Sequence, residues 1–380
     1  MPLFLVGFSD FYGPLIEHII QNVGENRIYC SDIVAKALDR TSHIARATSV
    51  AYGVGFCRLA ARIMQSLGVS KVYYDMPGKP IRGGVAHRIL ALLSVDLLNN
   101  WQRGGALNIS DIDSKLNEVV RELGLSLIKV HDEDKRLARE LFLTFYGELP
   151  NVINKLGFHK SLGKLKIYTE QQMFDYAIHV VGVPDLVIED PANKRAIVVE
   201  WKTYGSDRVE KRDIAQVYIY ALLVASRLGY NSDLNTLISA IANNDPKTVK
   251  VVPIIVRPGK VYSNHPALPL NSRKPLSVTD VGEYLRDLIL ASLQLSLLTV
   301  NIGYLLSPNK NYYEYEKVKN NEIRSKCSID IKGVRIDAIR YLPKKFPKGP
   351  SSKQNRYPCT LCPFSNRNGS NICSFYFGEF

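Results

Sequence analysis

Apolar residues in the first half of the chain recur at spacings of three and four. This period places them on one face of an α-helix, with polar residues on the other. The pattern predicts helices over residues 31–40, 57–68, 86–101 and 113–128. We therefore expect a mainly helical region over residues 1–163.

From about Lys164 the pattern changes to the alternation and short apolar runs that are typical of β-strands. Strands are predicted over residues 164–172, 183–190, 195–203 and 248–259. One helix, over residues 212–230, is predicted between the last two strands. The turn-rich segment 189–195 makes a hairpin of the second and third strands. The order predicts an α/β core, a mixed sheet with a helix packed on it, at residues 164–265.

Two further regions are predicted after the core. Residues 266–345 contain a long helix over 277–300, for which Ser277 or Thr279 is the candidate N-cap. Residues 346–380 are rich in Pro, Ser, Asn and Lys and are predicted to be irregular unless something binds them. The chain shows no internal repeat.

The most apolar stretch, residues 285–306, begins with charged residues and is interrupted by Gln294 and Asn301. These polar positions favour a buried helix over a membrane span. The first residues lack the basic region and the long apolar run of a signal peptide. We expect a cytoplasmic protein that makes no membrane contact.

Positive charge is in clear excess, since 49 Lys and Arg residues face 36 Asp and Glu residues and give a formal net charge of +13. Attraction to a polyanion is the simplest physical use of this charge, and nucleic acid is the first candidate partner. Solubility alone remains the alternative, because net charge by itself determines neither fold nor chemistry.

Charged residues end one of the predicted apolar strands, at Glu200-Trp201-Lys202. Side chains alternate along a strand, so Glu200 and Lys202 share a face and Trp201 points to the other. The hairpin can bring Asp185 within reach of Glu200, and two converging carboxylates suit a hard divalent cation. Lys202 could then orient water or meet the charge that grows on a scissile phosphate. A surface hairpin with an incidental Glu-Lys pair is the alternative.

The spaced combination of Pro184-Asp185 and Glu200-x-Lys202 resembles the motif of the PD-(D/E)xK nuclease superfamily. One group of that superfamily, the RecB-like nucleases, carries an upstream Gly-x-x-x-His and a downstream Gln-x-x-x-Tyr. Both patterns are present here, as residues 83–87 and 216–220. The resemblance implies a restriction-endonuclease-like core, a mixed sheet flanked by helices.

The resemblance implies a role for each acidic and imidazole side chain of the motifs. The upstream histidine of RecB-like nucleases binds the metal or lies beside it, which gives this place to His87. Asp185 and Glu200 would hold Mg²⁺ or Mn²⁺, and the softer imidazole ligand would favour Mn²⁺. Lys202 would assist the attacking water. Glu170 stands where these nucleases often carry another acid, on the first core strand.

The helix after the catalytic strand carries the second RecB-like motif. Gln216 and Tyr220 are four residues apart and share one helix face, and the family uses them to shape the site and hold DNA. Three positive residues at the entry of this helix, Arg208, Lys211 and Arg212, are candidate phosphate contacts. A solvated charged turn explains these three residues equally well.

Six cysteines occur in the chain, at positions 30, 57, 327, 359, 362 and 373. The last three are close in sequence, and a metal cluster or Zn²⁺ normally needs four ligands, so a fourth must come from elsewhere. Several RecB-like nucleases hold a 4Fe-4S cluster with one cysteine upstream of the Gly-x-x-x-His motif and three after the core. That resemblance implies the ligands Cys57, Cys359, Cys362 and Cys373. Zn²⁺ on the same residues and unligated thiols are the alternatives.

The whole set of motifs is most similar to that of the CRISPR-associated exonucleases. The resemblance implies a metal-dependent DNA exonuclease that acts on single-stranded ends during spacer acquisition, with other CRISPR adaptation proteins as partners. Aromatic residues such as Tyr218 and Tyr220 would stack on the bases. A recombination or repair nuclease of the same fold is one alternative, and a catalytically silent DNA-binding subunit is another.

Overall fold

The computed structural model of the chain describes residues 44–55, 84–104, 107–175, 178, 180–203, 209–230, 234–243, 250–298, 328–331 and 334–337. Several predictions concern residues outside these ranges. They are the helices over 31–40 and 57–68, the irregular tail, the candidate phosphate contact Arg208 and all six cysteines.

Within the described residues, helices account for most of the first half of the chain. Their bounds are α1 Ala47–Gly55, α2 Gly84–Gln102, α3 Ile109–Leu125, α4 Asp132–Lys155, α5 Lys211–Ala225, α6 Leu234–Ala242 and α7 Val278–Leu298. A 3₁₀ turn follows α4 at Phe158–Ser161, and a π-helical turn follows α5 at Ser226–Tyr230. Helices α2 and α3 correspond to the predicted helices over 86–101 and 113–128.

The first strand along the described chain has two residues, and the last two strands form a hairpin. Their bounds are β1 Ala45–Arg46, β2 Lys166–Thr169, β3 Met173–Asp175, β4 Val180–Gly182, β5 Leu186–Asp190, β6 Arg195–Trp201, β7 Val251–Arg257, β8 Lys260–His265, β9 Leu268–Leu270, β10 Ser328–Ile331 and β11 Val334–Asp337. Strands β2, β5, β6 and β7 lie inside the four predicted strands, whereas β8 and β9 were not predicted.

The largest sheet among the described residues has six strands, in the order β2-β5-β6-β7-β8-β9. Strands β6 and β7 pair in parallel, and all other neighbours pair antiparallel. The parallel pair requires a crossover, which α5 and α6 supply between the two strands. The mixed α/β architecture that the sequence predicts is therefore confirmed.

The sheet is buried on both faces at its centre. Every residue of β5, β6 and β7 is buried, which explains why these segments are nearly continuous apolar runs. One face shares a hydrophobic core with α2, α3 and α4. Within it the rings of Phe145 and Trp201 meet edge to face, with centroids 5.5 Å apart. Trp201 is thereby fixed at the end of β6.

The chain divides into two compact units. One consists of residues 75–175 and 181–287 and contains the six-stranded sheet with helices α2 to α6. The other consists of residues 1–74, 176–180 and 288–380, and its described elements include α1 and the antiparallel hairpin of β10 and β11. The division into four regions made from the sequence stays a prediction.

Helix α7 begins where the sequence predicts. The Ser277 hydroxyl accepts a hydrogen bond from the Asp280 N–H at 3.1 Å, and the Asp280 carboxylate accepts one from the Ser277 N–H at 3.0 Å. This reciprocal capping box confirms Ser277 as the N-cap. None of the described helices is both long and apolar enough to cross a membrane.

A histidine at the end of β8 is buried as a neutral ring. The Nε2 of His265 bonds to the backbone carbonyl of Ile241, and its Nδ1 accepts the N–H of Ala267 at 3.2 Å. One ring nitrogen is therefore a donor and the other an acceptor, which only the neutral form allows. Burial lowers the pKa of His265 from 6.5 to about 4.

We expect this histidine to make the folded state sensitive to acid. The unfolded chain takes up the proton near pH 6.5 and the folded chain only near pH 4, so stability is lost as the pH falls between these values, by about 3 kcal/mol. Urea unfolding at a series of pH values measures this loss. His265→Gln should flatten the profile in this window, whereas His159→Gln, at an exposed position, should not. If wild type and His265→Gln lost the same stability as the pH fell, this would contradict the interpretation of His265 as a neutral ring in the folded state.

Candidate active site

Two carboxylates lie opposite each other where β5 begins and β6 ends. The antiparallel register pairs Leu186 with Val199, so one further step places Asp185 opposite Glu200. Opposed residues of an antiparallel pair point to the same face. Glu200 and Lys202 thus share a face with Asp185, and Trp201 is buried in the core on the other face. The backbone alternation alone dictates this arrangement.

Asp185 is held by contacts at both carboxylate oxygens. Its Oδ1 lies 3.1 Å from Nδ1 of His87, and its Oδ2 accepts the backbone N–H of Trp201 at 2.8 Å. Burial works against the charged form of Asp185, but the interaction with His87 and the hydrogen bonds outweigh it and lower the pKa. Asp185 is therefore an anion at neutral pH, with a fixed orientation.

His87 reaches the sheet edge from the first turns of α2, 98 residues before Asp185 in the chain. Burial alone would lower its pKa, but the nearby Asp185 and Glu200 carboxyls raise it above the usual value. About a quarter of the side chain is exposed. The ring of His87 thus contacts Asp185 and is partly exposed to solvent.

Glu200 is the most confined of these groups, with 3% of the residue exposed. Its Oε2 is buried and has no hydrogen-bond donor in the described part of the chain. Burial, followed by the negative charge of Asp185, raises the pKa of Glu200 to about 8. A carboxylate with an unsatisfied buried oxygen beside a second carboxylate is stabilised by any cation that enters.

Lys202 extends the cluster on the side of α5. Its Nζ donates to Oε1 of Glu200 at 3.0 Å and to Oε1 of Gln216 at 2.8 Å. Gln216 in turn donates from Nε2 to the hydroxyl of Tyr220 at 3.0 Å. These four side chains form one hydrogen-bonded chain that starts at Glu200 and ends at Tyr220 in the helix. The pair Gln216 and Tyr220 stands behind Lys202 and fixes its ammonium group.

The two tyrosines of this helix are both buried. Tyr220 is 3% exposed, and burial, followed by the charges of Glu200 and Asp185, raises its pKa, so it stays protonated. Tyr218 is fully buried, donates to Asn264 at 3.1 Å and packs edge to face on Tyr284. The prediction that Tyr218 and Tyr220 stack on bases is wrong, because both rings are buried in the interior.

Glu170 lies just beyond β2, at a positive φ of 50°. Its carboxylate pairs with Arg88, the neighbour of His87 on α2, at 2.7 Å. This contact brings Glu170 to the same end of the sheet as His87. Its role as a metal ligand stays a prediction.

The candidate phosphate contacts are only partly described. Lys211 is exposed at the first position of α5. Arg212 follows it and pairs with Glu210 at 2.6 Å. Arg208 lies outside the described residues. Contact of these three residues with phosphate stays a prediction.

The sequence analysis missed two buried residues of this cluster. Asp213, in the first turn of α5, lies with Oδ1 3.4 Å from Nζ of Lys202 and with Oδ2 3.6 Å from Nη2 of Arg257. The sequence carries a signal for each of these two residues. Asp213 precedes Gln216 by three residues and so shares its helix face. Arg257 ends an apolar strand, as Lys202 does.

The comparison with known families agrees with this geometry. The family model described as the PD-(D/E)XK nuclease superfamily matches residues 54–367, which is well over half of the chain. The chain belongs to the PD-(D/E)XK nuclease superfamily. No curated protein and no solved structure matches the chain. PD-(D/E)XK nucleases act on nucleic acid and typically use a divalent metal.

The side chains of this PD-(D/E)XK site are of the chemical types that bind such a metal. No three His, Cys, Asp or Glu side chains within the described ranges form a ready-made metal cage. His87 instead bonds to Asp185, and Glu200 bonds to Lys202. Two carboxylates, one with an oxygen that lacks a donor, are nevertheless the oxygen ligands that Mg²⁺ and Mn²⁺ prefer.

Proposed function

We propose that this PD-(D/E)XK protein is a metal-dependent DNA exonuclease that degrades single-stranded ends. The observation that carries the proposal is the convergence of Asp185, Glu200 and Lys202 at one sheet edge, with His87 bound to Asp185. Two carboxylates placed side by side at a largely buried edge cost stability, and such groups concentrate at functional sites. The net charge of +13 suits a polyanionic substrate.

In the proposed reaction each side chain has a distinct task. Asp185 and Glu200 would hold Mg²⁺ or Mn²⁺, with His87 beside them, and the bound ion would polarise the phosphate and activate water. Lys202 places a positive charge next to Glu200, where it meets the charge that develops on the scissile phosphate. Gln216 and Tyr220 hold this ammonium in place. Arg208, Lys211 and Arg212 would bind the DNA backbone.

The preference for single-stranded ends and the biological setting rest on the resemblance to the CRISPR-associated exonucleases. On this basis we propose a role in CRISPR spacer acquisition, together with other adaptation proteins. We also propose a 4Fe-4S cluster on Cys57, Cys359, Cys362 and Cys373. Iron and zinc analysis of anaerobically purified protein distinguishes the cluster from Zn²⁺, and each Cys→Ser variant should lose the bound metal.

Cleavage of end-labelled DNA by anaerobically purified protein tests the activity. We expect linear single-stranded DNA to be degraded with Mn²⁺ or Mg²⁺ and to stay intact with EDTA. Circular single-stranded DNA should be resistant because it has no end. Lys202→Met should bind DNA as the wild type does and cleave about 100-fold more slowly, because it loses the charge that stabilises the transition state.

Three results would change the proposal. Cleavage of circles would identify an endonuclease. Binding of DNA without cleavage, by wild type with its metals intact, would favour a DNA-binding subunit. Cleavage that does not depend on Lys202 would place the active site elsewhere.

A further inference from the structure

Two cationic side chains lie next to each other at the ends of the parallel strands β6 and β7. The register pairs Trp201 with Val256, and the N–H of Lys202 continues the ladder by donating to the carbonyl of Val256 at 2.9 Å. The next step places Lys202 beside Arg257. The side chains of both residues are more than nine-tenths buried. Two buried like charges repel each other strongly unless an anion lies between them.

Asp213 supplies that anion. Its side chain is 1% exposed, and its two oxygens face Lys202 and Arg257 at 3.4 Å and 3.6 Å. The carboxylate also accepts the backbone N–H of Glu210 at 3.3 Å, which ties it to the start of α5. A negative charge in the first turn of a helix is favourable in its own right. Asp213 is therefore fixed by a helix end on one side and by two cations on the other.

The ammonium group of Lys202 interacts with two acidic side chains, those of Glu200 and Asp213. Glu200 Oε1 lies 3.0 Å and Asp213 Oδ1 lies 3.4 Å from the same ammonium nitrogen. Without the charge of Asp213, Lys202 and Arg257 would repel each other, and the ammonium would be drawn toward Glu200 and Asp185. It would then compete with a divalent cation for the oxygens of these two acids.

We propose that Asp213 is a positioning residue. With Arg257 it keeps the ammonium of Lys202, which also donates to Glu200 at 3.0 Å, from moving further onto the metal-binding carboxylates, and so leaves it available to the scissile phosphate. The inference rests on the proposed nuclease function. It assigns a task in the site to two residues that belong to none of the motifs recognised in the sequence.

The test compares Asp213→Asn with a matched control. Asp190→Asn also neutralises a buried aspartate that pairs with a buried arginine, Arg195 at 2.7 Å, but at the opposite end of β5. Both variants should be somewhat less stable than the wild type. Only Asp213→Asn should lower kcat, by about 100-fold, the loss that a misplaced catalytic group causes. The KM for DNA should stay within about 2-fold, since Asp213 does not face the substrate.

Three further tests separate positioning from a structural role. Asp213→Asn should raise the Mn²⁺ concentration needed for half-maximal cleavage, because Lys202 then competes for Glu200, and Asp190→Asn should not. In single-turnover assays, Asp213→Asn should slow Lys202→Met little further, because effects that act through one residue are not additive. Asp213→Glu, which keeps the charge, should recover most of kcat.

The outcomes are distinguishable. Wild type that binds DNA and metal without cleaving overturns the proposed function, and this inference with it. An active wild type whose Asp213→Asn variant matches Asp190→Asn in kcat and in Mn²⁺ requirement overturns the inference alone. If Asp213→Asn does not fold, as judged by circular dichroism, Asp213→Glu carries the test. A Glu variant that matches wild type in both kcat and Mn²⁺ requirement supports the inference, and one whose kcat is lowered about 100-fold although the charge is kept overturns it.

Discussion

Glu200→Gln is expected to abolish metal-dependent cleavage and, at the same time, to stabilise the folded protein. Cleavage should fall by about 1,000-fold or more, because a neutral amide is a poor ligand for a hard cation and the site loses half of its paired carboxylates. The substitution keeps the shape of the side chain. The loss therefore reports charge and not packing.

The stability gain follows from the pKa of Glu200, which burial and the charge of Asp185 raise from 4.5 to about 8. The folded state holds this proton more tightly than the unfolded chain. Stability is therefore lost as the pH rises from about 4.5 to about 8, where the folded protein must carry a buried, repelled charge. Glu200→Gln removes this cost, so its Tm at pH 8 in EDTA should exceed that of the wild type.

Thermal unfolding and DNA cleavage, measured on the same preparations, check both parts of the expectation. Added Mn²⁺ should raise the Tm of the wild type and not that of Glu200→Gln, since binding to the folded state stabilises it. The matched control is Glu189→Gln, at a buried glutamate of β5 that pairs with Tyr168 and Arg227. It should keep its activity and lose stability. A Glu200→Gln variant that is less stable than wild type in EDTA would contradict the electrostatic account.

Arg195→Met is expected to destabilise the fold strongly, by about 3–5 kcal/mol, the usual cost of removing one partner from a buried ion pair. Arg195 donates to Oδ2 of Asp190 at 2.7 Å and to the carbonyl of Leu156 at 3.0 Å, and its guanidinium lies over the ring of Phe158. It thus closes the hairpin of β5 and β6 and satisfies a carbonyl at the end of α4. Methionine fills the space and leaves the Asp190 carboxylate without its countercharge.

Urea unfolding at neutral pH measures this loss. The pKa of Asp190 is lowered: burial opposes the charged form, but hydrogen bonds from Ser161, Arg195 and Asn193 outweigh it. The stability that the ionised group contributes is lost as the pH falls through this lowered pKa, so the difference between variant and wild type should shrink in acid. Adding Asp190→Asn to Arg195→Met should restore part of the stability. A loss below about 1 kcal/mol would indicate an exposed, weakly coupled pair.

Much of the fold could be predicted from the sequence. The period of the apolar residues predicted α2, α3, α5 and α7, and the alternation predicted β2, β5, β6 and β7. Alternation also predicted that Glu200 and Lys202 share one face and that Trp201 lies on the other. These features depend on neighbours in the chain, and such short-range geometry is what hydrophobic patterning encodes. The superfamily was predicted from a resemblance, because Pro184-Asp185 and Glu200-x-Lys202 match its motif.

The sequence by itself therefore determined four helices and four strands, their order and the acidic edge of the sheet. Only the tertiary structure decided which side chains complete that edge. His87 reaches Asp185 because α2 packs on the sheet, and Asp213 meets Lys202 and Arg257 because α5 begins where two parallel strands end. The same packing buries Tyr218, which the sequence placed among the DNA contacts. The physical reason is that these contacts join segments far apart in the chain, and close packing of the core, not local periodicity, sets their distances.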